Sequence, residues 1–549
     1  MPHSDVLVIG AGLAGLVVAR EAVRAGRTVT IVDQEPAASF GGQAWWSFGG
    51  VFLVDSPEQR RFGIRDSLEL ARDDWFRTAG FDDAGDEWGR QWAEAYLQFA
   101  AGEARPWLHG LGVRFFPVIG HAERGDGTRG NSVPRFHIVW GSGPGVVAPF
   151  TRAVRDGVDA GLVTIRMRHR VDALTVDGGR VTGARGAVLA PDVAVRGESS
   201  SRDVVGEFAL TADHVVVATG GTGGALASVA RDWPERLGAM PTAPLVGVPA
   251  HVDGRGLDVA EAAGASVVHR DRMWHYTEGL ANWDPVWPHH GIRILPGPSS
   301  LWVDSVGDRL PAPLYPGFDT LSTLEHLRHG GHEHSWFVLT STILRKEIAL
   351  SGSEQNPDFS DRSLRLVLDR IRNGSVGVQG FLHHGEDVVV APDLDALLDG
   401  MRALEPGLDA DRVRRAVAQR DRGIDAPGTD PQIVAIERAR ELVGERIIRT
   451  APPHRLTDEG HAPMVAFRLR TVTRKSLGGI LTDLDSRVLS ARADGTTGPI
   501  PGLYAVGEAA GFGGGGVHGY RSLEGTFLGG CLHSGLRAGR AIVREARVS

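Results

Sequence analysis

The sequence predicts an α/β protein in two bodies: a parallel-sheet domain built from both chain ends, and an α+β cap inserted between them. Three observations predict this. A short apolar strand, Asp5-Val6-Leu7-Val8-Ile9, runs into the turn Gly10-Ala11-Gly12-Leu13-Ala14-Gly15. At the other end, Gly502-Leu503-Tyr504-Ala505-Val506-Gly507-Glu508 again reads as strand, turn and acid. Between them, from about 270 to 460, the chain changes character and becomes rich in Trp and His.

The elements follow in order. Residues 13–25 carry Ala, Val, Leu and Arg at helical spacing, and Thr28-Val29-Thr30-Ile31-Val32-Asp33 is a second strand, completing a βαβ unit. Residues 65–112 are helical and acidic-amphipathic. Gly141-Ser142-Gly143-Pro144-Gly145 reads as a turn before a helix at 148–160. Residues 162–218 read as a β-meander, with a turn at Asp177-Gly178-Gly179 and a solvated loop at Gly197 to Arg202. The meander ends in Val215-Val216-Val217-Ala218-Thr219-Gly220-Gly221, a buried strand entering a Gly turn. The middle reads as a mostly helical insert, with helical stretches at 361–373 and 431–449. Strand character returns from about 465, and a last helix spans 526–546. The domains are therefore expected at 1–269, 270–460 and 461–549, the first and third forming one body.

Composition narrows the class. A chain of 549 residues exceeds one ordinary core. Its 74 Gly gather in a few turns, which points to backbone pressed close to a ligand rather than to a fibrous repeat. A net charge of −8 without a Lys/Arg block argues against nucleic acid as partner. The single Cys531 excludes an internal disulfide and fits a reducing cytoplasm. No apolar stretch approaches membrane-spanning length, and Met1-Pro2-His3-Ser4 leads straight into a strand, which leaves no room for a signal peptide.

The Gly-rich turn carries the first chemistry. In Gly10-x-Gly12-x-x-Gly15 the first Gly makes the tight turn, the second lets backbone approach a pyrophosphate, and the third lets helix and strand pack closely. The phosphates then meet the helix N-terminus, where unpaired N–H groups and the dipole favour negative charge. Asp33 places a carboxylate at the ribose hydroxyls. A Rossmann-like domain with one such set and no second set indicates one dinucleotide. Glu508, after the second Gly-rich strand, is placed to accept hydrogen bonds from ribityl hydroxyls, which makes that dinucleotide FAD. The loop Phe40 to Gly50 holds two Gly pairs and no His or Cys, so a non-covalent flavin is expected there. Leu523-Glu524-Gly525-Thr526 opens the last helix, whose N-terminus would stabilise an anionic reduced flavin. The expected cofactor contacts are Gly10, Gly12, Ala14, Gly15, Asp33, Gln34, Gly42, Gln43, Ser47, Gly49, Gly50, Val171, Ala218, Thr219, Gly220, Glu508, Leu523, Gly525 and Thr526.

These motifs, with Asp253-Gly254-Arg255-Gly256-Leu257-Asp258 and Leu477-Gly478-Gly479, resemble the fumarate reductase/succinate dehydrogenase flavoprotein superfamily. The Trp-rich cap and the tail Val517-His518-Gly519-Tyr520-Arg521-Ser522-Leu523-Glu524-Gly525 look most like its 3-ketosteroid-dehydrogenase-like branch. The resemblance implies an FAD domain interrupted by a cap, with substrate between cap and flavin. It also implies hydride transfer between flavin N5 and a carbon near an activating carbonyl, with a second group moving a proton. His518 matches the superfamily's substrate-side His. Where fumarate reductases continue Arg-Leu-Gly-Gly-Asn, this chain has Ser522-Leu523-Glu524-Gly525-Thr526, with Arg521 one position early, which argues against a dicarboxylate.

Ketosteroid dehydrogenases use Tyr hydroxyls as acid and base. Tyr276 and Tyr315 in the cap and Tyr520 in the tail are the candidates; Tyr96 and Tyr504 look structural. Tyr520 either acts as a base beside His518 and Arg521 or packs its ring on the flavin. The catalytic candidates are thus His518, Tyr520, Arg521, Tyr276 and Tyr315. The His set 326, 329, 332 and 334 lacks Cys or a carboxylate set and reads as surface or hydrogen-bonded His, so no metal is expected. The expected partners are an apolar carbonyl substrate, such as a ketosteroid, and a separate electron acceptor or donor, with self-association left open. The rivals are a reductase of an unsaturated acid, which a pair of Arg facing the flavin would favour, and a non-catalytic flavin carrier or electron relay.

Overall fold

The computed structural model describes residues 2–81, 84–125, 127–491 and 497–545. It holds two large mixed sheets. The first runs Arg487–Ala491, Thr497–Ala505, Val204–Val217, His3–Ile9, Val29–Asp33, Val163–Met167, with His169–Asp177 and Arg180–Leu189 attached. Val8 pairs in parallel with both Ile31 and Val216, and Leu503 pairs with Val215. The last strand of the chain thus joins the first through Val204–Val217. The two ends form one sheet, as their sequences indicate. The meander is present, its turn made by Gly178 and Gly179 at φ 54° and 78°.

Helix Leu13–Arg24 covers this sheet, and the last helix, Thr526–Glu545, packs on it. Their approach depends on missing side chains. A Cβ on Gly535 would lie 2.6 Å from the Ala14 carbonyl oxygen, and one on Gly539 2.6 Å from Glu21 Cβ. Leu532, Leu536 and Ile542 are then buried, worth about 1.5–3 kcal/mol each. The last helix starts where expected; position 546 lies outside the described residues.

The second sheet corrects two expectations. It runs Leu301–Asp304, His334–Thr340, Met464–Ser476, Met273–Ala281, Gly291–Leu295, Ala349–Leu350, with Leu245–Val246 and Val388–Ala391 on Met464–Ser476. The insert is therefore sheet-centred, with helices such as Thr320–His329 and Ala410–Asp425 around it, rather than mostly helical. Strands such as Leu301–Asp304 and His334–Thr340 are buried on both faces, so they lack the apolar–polar alternation that marks a strand. The cap sheet also extends beyond both expected limits, from Leu245 to Ser476. Trp274, Trp302 and Trp336 belong to buried cores.

A third expectation changes as well. The helix expected at 148–160 runs Ser142–Asp159, with Pro149 inside it. Residues 141–145 are its first turn, entered through Gly141 at φ 107°. A Cβ on Gly143 would lie 2.2 Å from the Ala44 carbonyl, so Gly there is a close approach and not a loop signal. Among the described residues no helix is long and apolar enough to cross a membrane.

Candidate active site

The Gly10 turn is fixed by its neighbours. Gly10 sits at φ 107°, and a Cβ there would lie 2.5 Å from the Ala218 carbonyl oxygen. Asp33 closes the turn from the adjacent strand, its carboxylate accepting from the N–H groups of Ala11 and Glu35, both at 2.8 Å. Burial pushes the Asp33 carboxyl up from its ordinary value. Gly12 caps helix Leu13–Arg24 without any side-chain cap bond, so N–H groups of the first turn stay open toward the cleft.

That cleft is lined by Gly10, Gly12, Ala14, Asp33, Gly42, Gln43, Ser47, Gly49, Gly50, Ala218, Thr219, Gly220, Glu508 and Gly525. A side branch is lined by Asp33, Gln34, Val171 and His251. Sixteen of the nineteen expected cofactor contacts therefore line one continuous groove from Val171 to Gly525. The other three do not. Gly15 is packed into the turn, where a Cβ would sit 2.5 Å from the Gly10 carbonyl oxygen. Leu523 and Thr526 are buried, with the Thr526 hydroxyl bonded to the Leu523 carbonyl and, at 2.8 Å, to His518 Nε2.

The groove fits FAD. Its phosphate end presents backbone N–H groups. Its middle presents Glu508, which accepts from the Ser476 N–H at 3.1 Å and from Gln43 Nε2 at 3.2 Å. Gln43 Oε1 and Thr219 Oγ1, on residues lining the cleft, are buried without a protein partner, as atoms that pair with a polar ligand would be. The single Cys531 also lines the cleft, its thiol pushed up to about 12 by burial.

Of the five catalytic candidates, only Tyr276 reaches the cleft. His518 is turned into the core, stacked on Trp75 at 5.9 Å and held by Thr526. Burial pushes its imidazole down to about 3, so it is neutral. Tyr520 has the guanidinium groups of Arg272 and Arg236 over its ring, 4.1 and 4.6 Å from the ring centre, and does not line the cleft. Arg521 ties the tail to the cap, its Nη1 2.6 Å from Asp319 Oδ1. Tyr315 packs edge-on against Phe318 inside the cap. Positive φ at Gly516, Gly519 and Gly525 punctuates this stretch, and His518, Tyr520 and Arg521 meet three different surroundings.

The cleft instead ends at a buried charge cluster. Arg293, on strand Gly291–Leu295, donates to Glu524 at 2.6 Å. It lies 3.5 Å from Glu123 and 3.6 Å from Glu278. Its guanidinium sits 3.7 Å over the Tyr276 ring, and the Tyr276 hydroxyl donates to Glu524 at 2.9 Å. Burial raises the carboxyls of Glu123, to about 8, and of Glu278, and holds the Tyr276 phenol well above its ordinary value. One cation faces the buried Glu123 and Glu278 and the half-buried Glu524, and the two buried carboxyls, raised by desolvation, favour their protonated forms.

Beyond it opens a largely apolar chamber, walled by Phe48, Phe116, Val118, Phe136, Ile138, Leu295 and Phe359. Phe48, Phe136, Arg293, Leu295 and Glu524 line both the cleft and the chamber. Sequence reasoning passed over Arg293, Glu123 and Glu278, and took Glu524 only as part of a helix start. A lone charge in an apolar strand, Ile292-Arg293-Ile294 or Thr277-Glu278-Gly279-Leu280, was the available signal. Nothing around Glu123 offered one.

A split parallel sheet, a phosphate cradle at a helix start and a cap closing over the far end define a flavoprotein oxidoreductase. The chain belongs to the FAD binding domain family, matched over residues 5–528. It is 57% identical to a KsdD-like steroid dehydrogenase of Mycolicibacterium smegmatis, over 96% of each chain. It is 54% identical to a KsdD-like steroid dehydrogenase of Mycobacterium tuberculosis, over 99% of this chain and 96% of that one. Its fold matches 3-ketosteroid delta1-dehydrogenase from Sterolibacterium denitrificans at a TM-score of 0.70 and 16% identity, covering 99% and 100% of the two chains. The chain is an FAD-dependent dehydrogenase, and its likeness to the ketosteroid-dehydrogenase-like branch is borne out.

Proposed function

We propose that this enzyme desaturates a CH–CH bond beside the carbonyl of a steroid-like ketone held in the apolar chamber, with Glu524 as proton acceptor and Glu123 as hydrogen-bond donor. The observation that carries this reading is the shared wall: Arg293 and Glu524 line both the cofactor cleft and the chamber. Bound FAD supplies the hydride acceptor, or the donor in the reverse direction. Glu524 takes the proton from the carbon next to the carbonyl, and the vacated electron pair closes the new double bond. Glu123, neutral below about pH 8, hydrogen-bonds the carbonyl oxygen as negative charge gathers there. Two carboxyl groups in different environments divide the acid and base roles. Arg293 keeps Glu524 in place, and Tyr276 aims it through the 2.9 Å hydrogen bond. The names of the relatives and the apolar walls support the steroid class. A separate electron acceptor completes the cycle, and the lone, half-buried Cys531 fits a reducing cytoplasm.

The unsaturated-acid reading has one feature in its favour, since Arg474 lines the cleft together with Arg293. Arg293, however, already faces Glu123, Glu278 and Glu524, and Arg474 is spent on the Gly247 carbonyl. Neither is free to clamp a substrate carboxylate. The test is a screen of the purified yellow protein with ketosteroids and enoyl acids, using an artificial acceptor. Bleaching by ketosteroids alone is expected; bleaching by none of them defeats the reading.

The acid role has its own signature. The donor is Glu123 in its neutral form, so activity should fall as pH rises through about 8. Glu123→Gln keeps an N–H donor and cannot ionise. It is expected to retain part of the activity and to lose this alkaline limb in a pH profile of kcat/KM. A limb that persists in the variant would assign it to another group.

A further inference from the structure

The cap helix Leu364–Asn373 presents an apolar face to solvent. It starts at Ser363, whose side chain accepts from the Leu366 N–H, and stops at Gly374, where φ is 87°. Val367 is its one buried side chain, and Arg370 is held by Asp358 at 2.8 Å. Leu364, Leu368 and Ile371 recur at intervals of four and three, so they share one helix face. They are 68%, 57% and 66% exposed. A single surface leucine needs no explanation, but three large aliphatic side chains on one face do. Ile447, 63% exposed, joins them, since it and Ile371 both line the chamber.

The charge around this face is mostly of one sign. Helix Ser341–Glu347 packs against Leu364–Asn373 and against the helical turn Glu445–Arg449. Over these two segments and residues 361–373, the exposed charged residues are Arg345, Arg362, Arg365, Arg372 and Arg446 against Asp361 and Asp369. Arg345 abuts the helix end, its Cα 3.4 Å from where a Cβ on Gly374 would lie. The patch is thus net positive on a chain whose formal charge is −8.

We propose that this face seats the enzyme on an anionic lipid surface. Leu364, Leu368, Ile371 and Ile447 enter the boundary between headgroups and acyl chains, and the surrounding arginines meet anionic headgroups. An aliphatic helix face flanked by cations is the pattern that lies in a bilayer interface, where apolar burial and attraction to anionic lipid add together. A protein partner fits this face less well. Its exposed apolar side chains are all aliphatic, without the Trp and Tyr anchors that carry protein interfaces. The enzyme would lie on the membrane and not cross it, in keeping with the absence of a spanning helix among the described residues. Two of the seated side chains also wall the chamber, which places the chamber beside the lipid phase into which an apolar ketone partitions. The lipid contact goes beyond the desaturation reading and does not depend on it.

The test is sedimentation of the FAD-loaded enzyme with vesicles of phosphatidylcholine alone and of phosphatidylcholine mixed with phosphatidylglycerol. Partitioning onto the mixed vesicles is expected to exceed that onto the neutral ones by about tenfold and to weaken with added salt. Leu364→Ser/Leu368→Ser is expected to lower it by about tenfold. Melting temperature and flavin absorbance should stay those of the parent, because both side chains are exposed and neither lines the cleft or the chamber. Equal partitioning onto both vesicles, or onto neither, overturns the proposal, and so does a double variant that binds as the parent does. Sedimentation velocity without lipid checks the rival cover. A parent that dimerises, with a double variant that does not, would assign the face to a second copy of the chain and overturn the lipid surface.

Discussion

In Glu524→Gln the substrate-dependent bleaching of the flavin is expected to slow by about two to four orders of magnitude, while the protein stays folded and yellow. The amide has the size of the carboxyl and still accepts from Arg293 and Tyr276, now 2.6 and 2.9 Å away. It cannot accept a proton in the range where an enzyme works. Folding should survive because Arg293 retains Glu278 and Glu123 nearby. Stopped-flow recording of flavin reduction by a ketosteroid measures the chemical step directly. If that rate equals the parent's, Glu524 is not the base. The contrast with His518→Asn sharpens the result. His518 is neutral, enclosed by Trp75, Phe512 and Phe527, and bonded to Thr526. Its replacement should cost stability and leave the pH dependence of reduction unchanged.

The two residues also show what the sequence could and could not disclose. The cofactor groove was legible because each part of it is local. Gly10 to Gly15 and Asp33 form one βαβ unit, and the constraint on each position is a backbone approach that a glycine advertises. The return of the chain was legible because Gly502 to Glu508 is again strand, turn and acid. The reacting end was not, because its members come from four separate places: Glu123 in a loop, Tyr276, Glu278 and Arg293 on cap strands, and Glu524 at the start of the last helix. Their meaning arises from Coulombic contact across 401 positions of sequence, from 123 to 524, and no spacing rule reports that. His518 seemed favoured because it lies in a motif-like stretch, yet burial rather than adjacency decides whether an imidazole can act. The cap sheet was hidden for a related reason. Strands covered on both faces lose the alternation that distinguishes them from buried helix.

The glycines of the cradle separate two kinds of requirement, and this yields the second large effect. Gly10 is needed by the protein itself. It sits at φ 107°, where an L side chain is strained, and a Cβ would press within 2.5 Å of the Ala218 carbonyl oxygen. Gly12 is different. Its backbone is extended, at φ −78° and ψ 173°, and beyond its own chain neighbours a Cβ would meet nothing nearer than Ala218 O, at 3.9 Å. Its side-chain space is empty of protein and faces the cleft, so the ligand alone requires it. Gly10→Ala is therefore expected to lower the melting temperature of the apoprotein and to abolish FAD retention. Gly12→Ala should melt as the parent apoprotein does, yet bind FAD about a hundredfold more weakly, because the added methyl holds the pyrophosphate away from the helix N–H groups. Calorimetry of the stripped proteins and fluorescence titration with FAD read the two quantities separately. A Gly12→Ala protein that binds FAD like the parent would move the pyrophosphate away from this turn. With it would go the assignment of the groove's two ends, since Val171 and Asp33 mark the adenosine end only if the phosphates cross between Gly12 and Gly42.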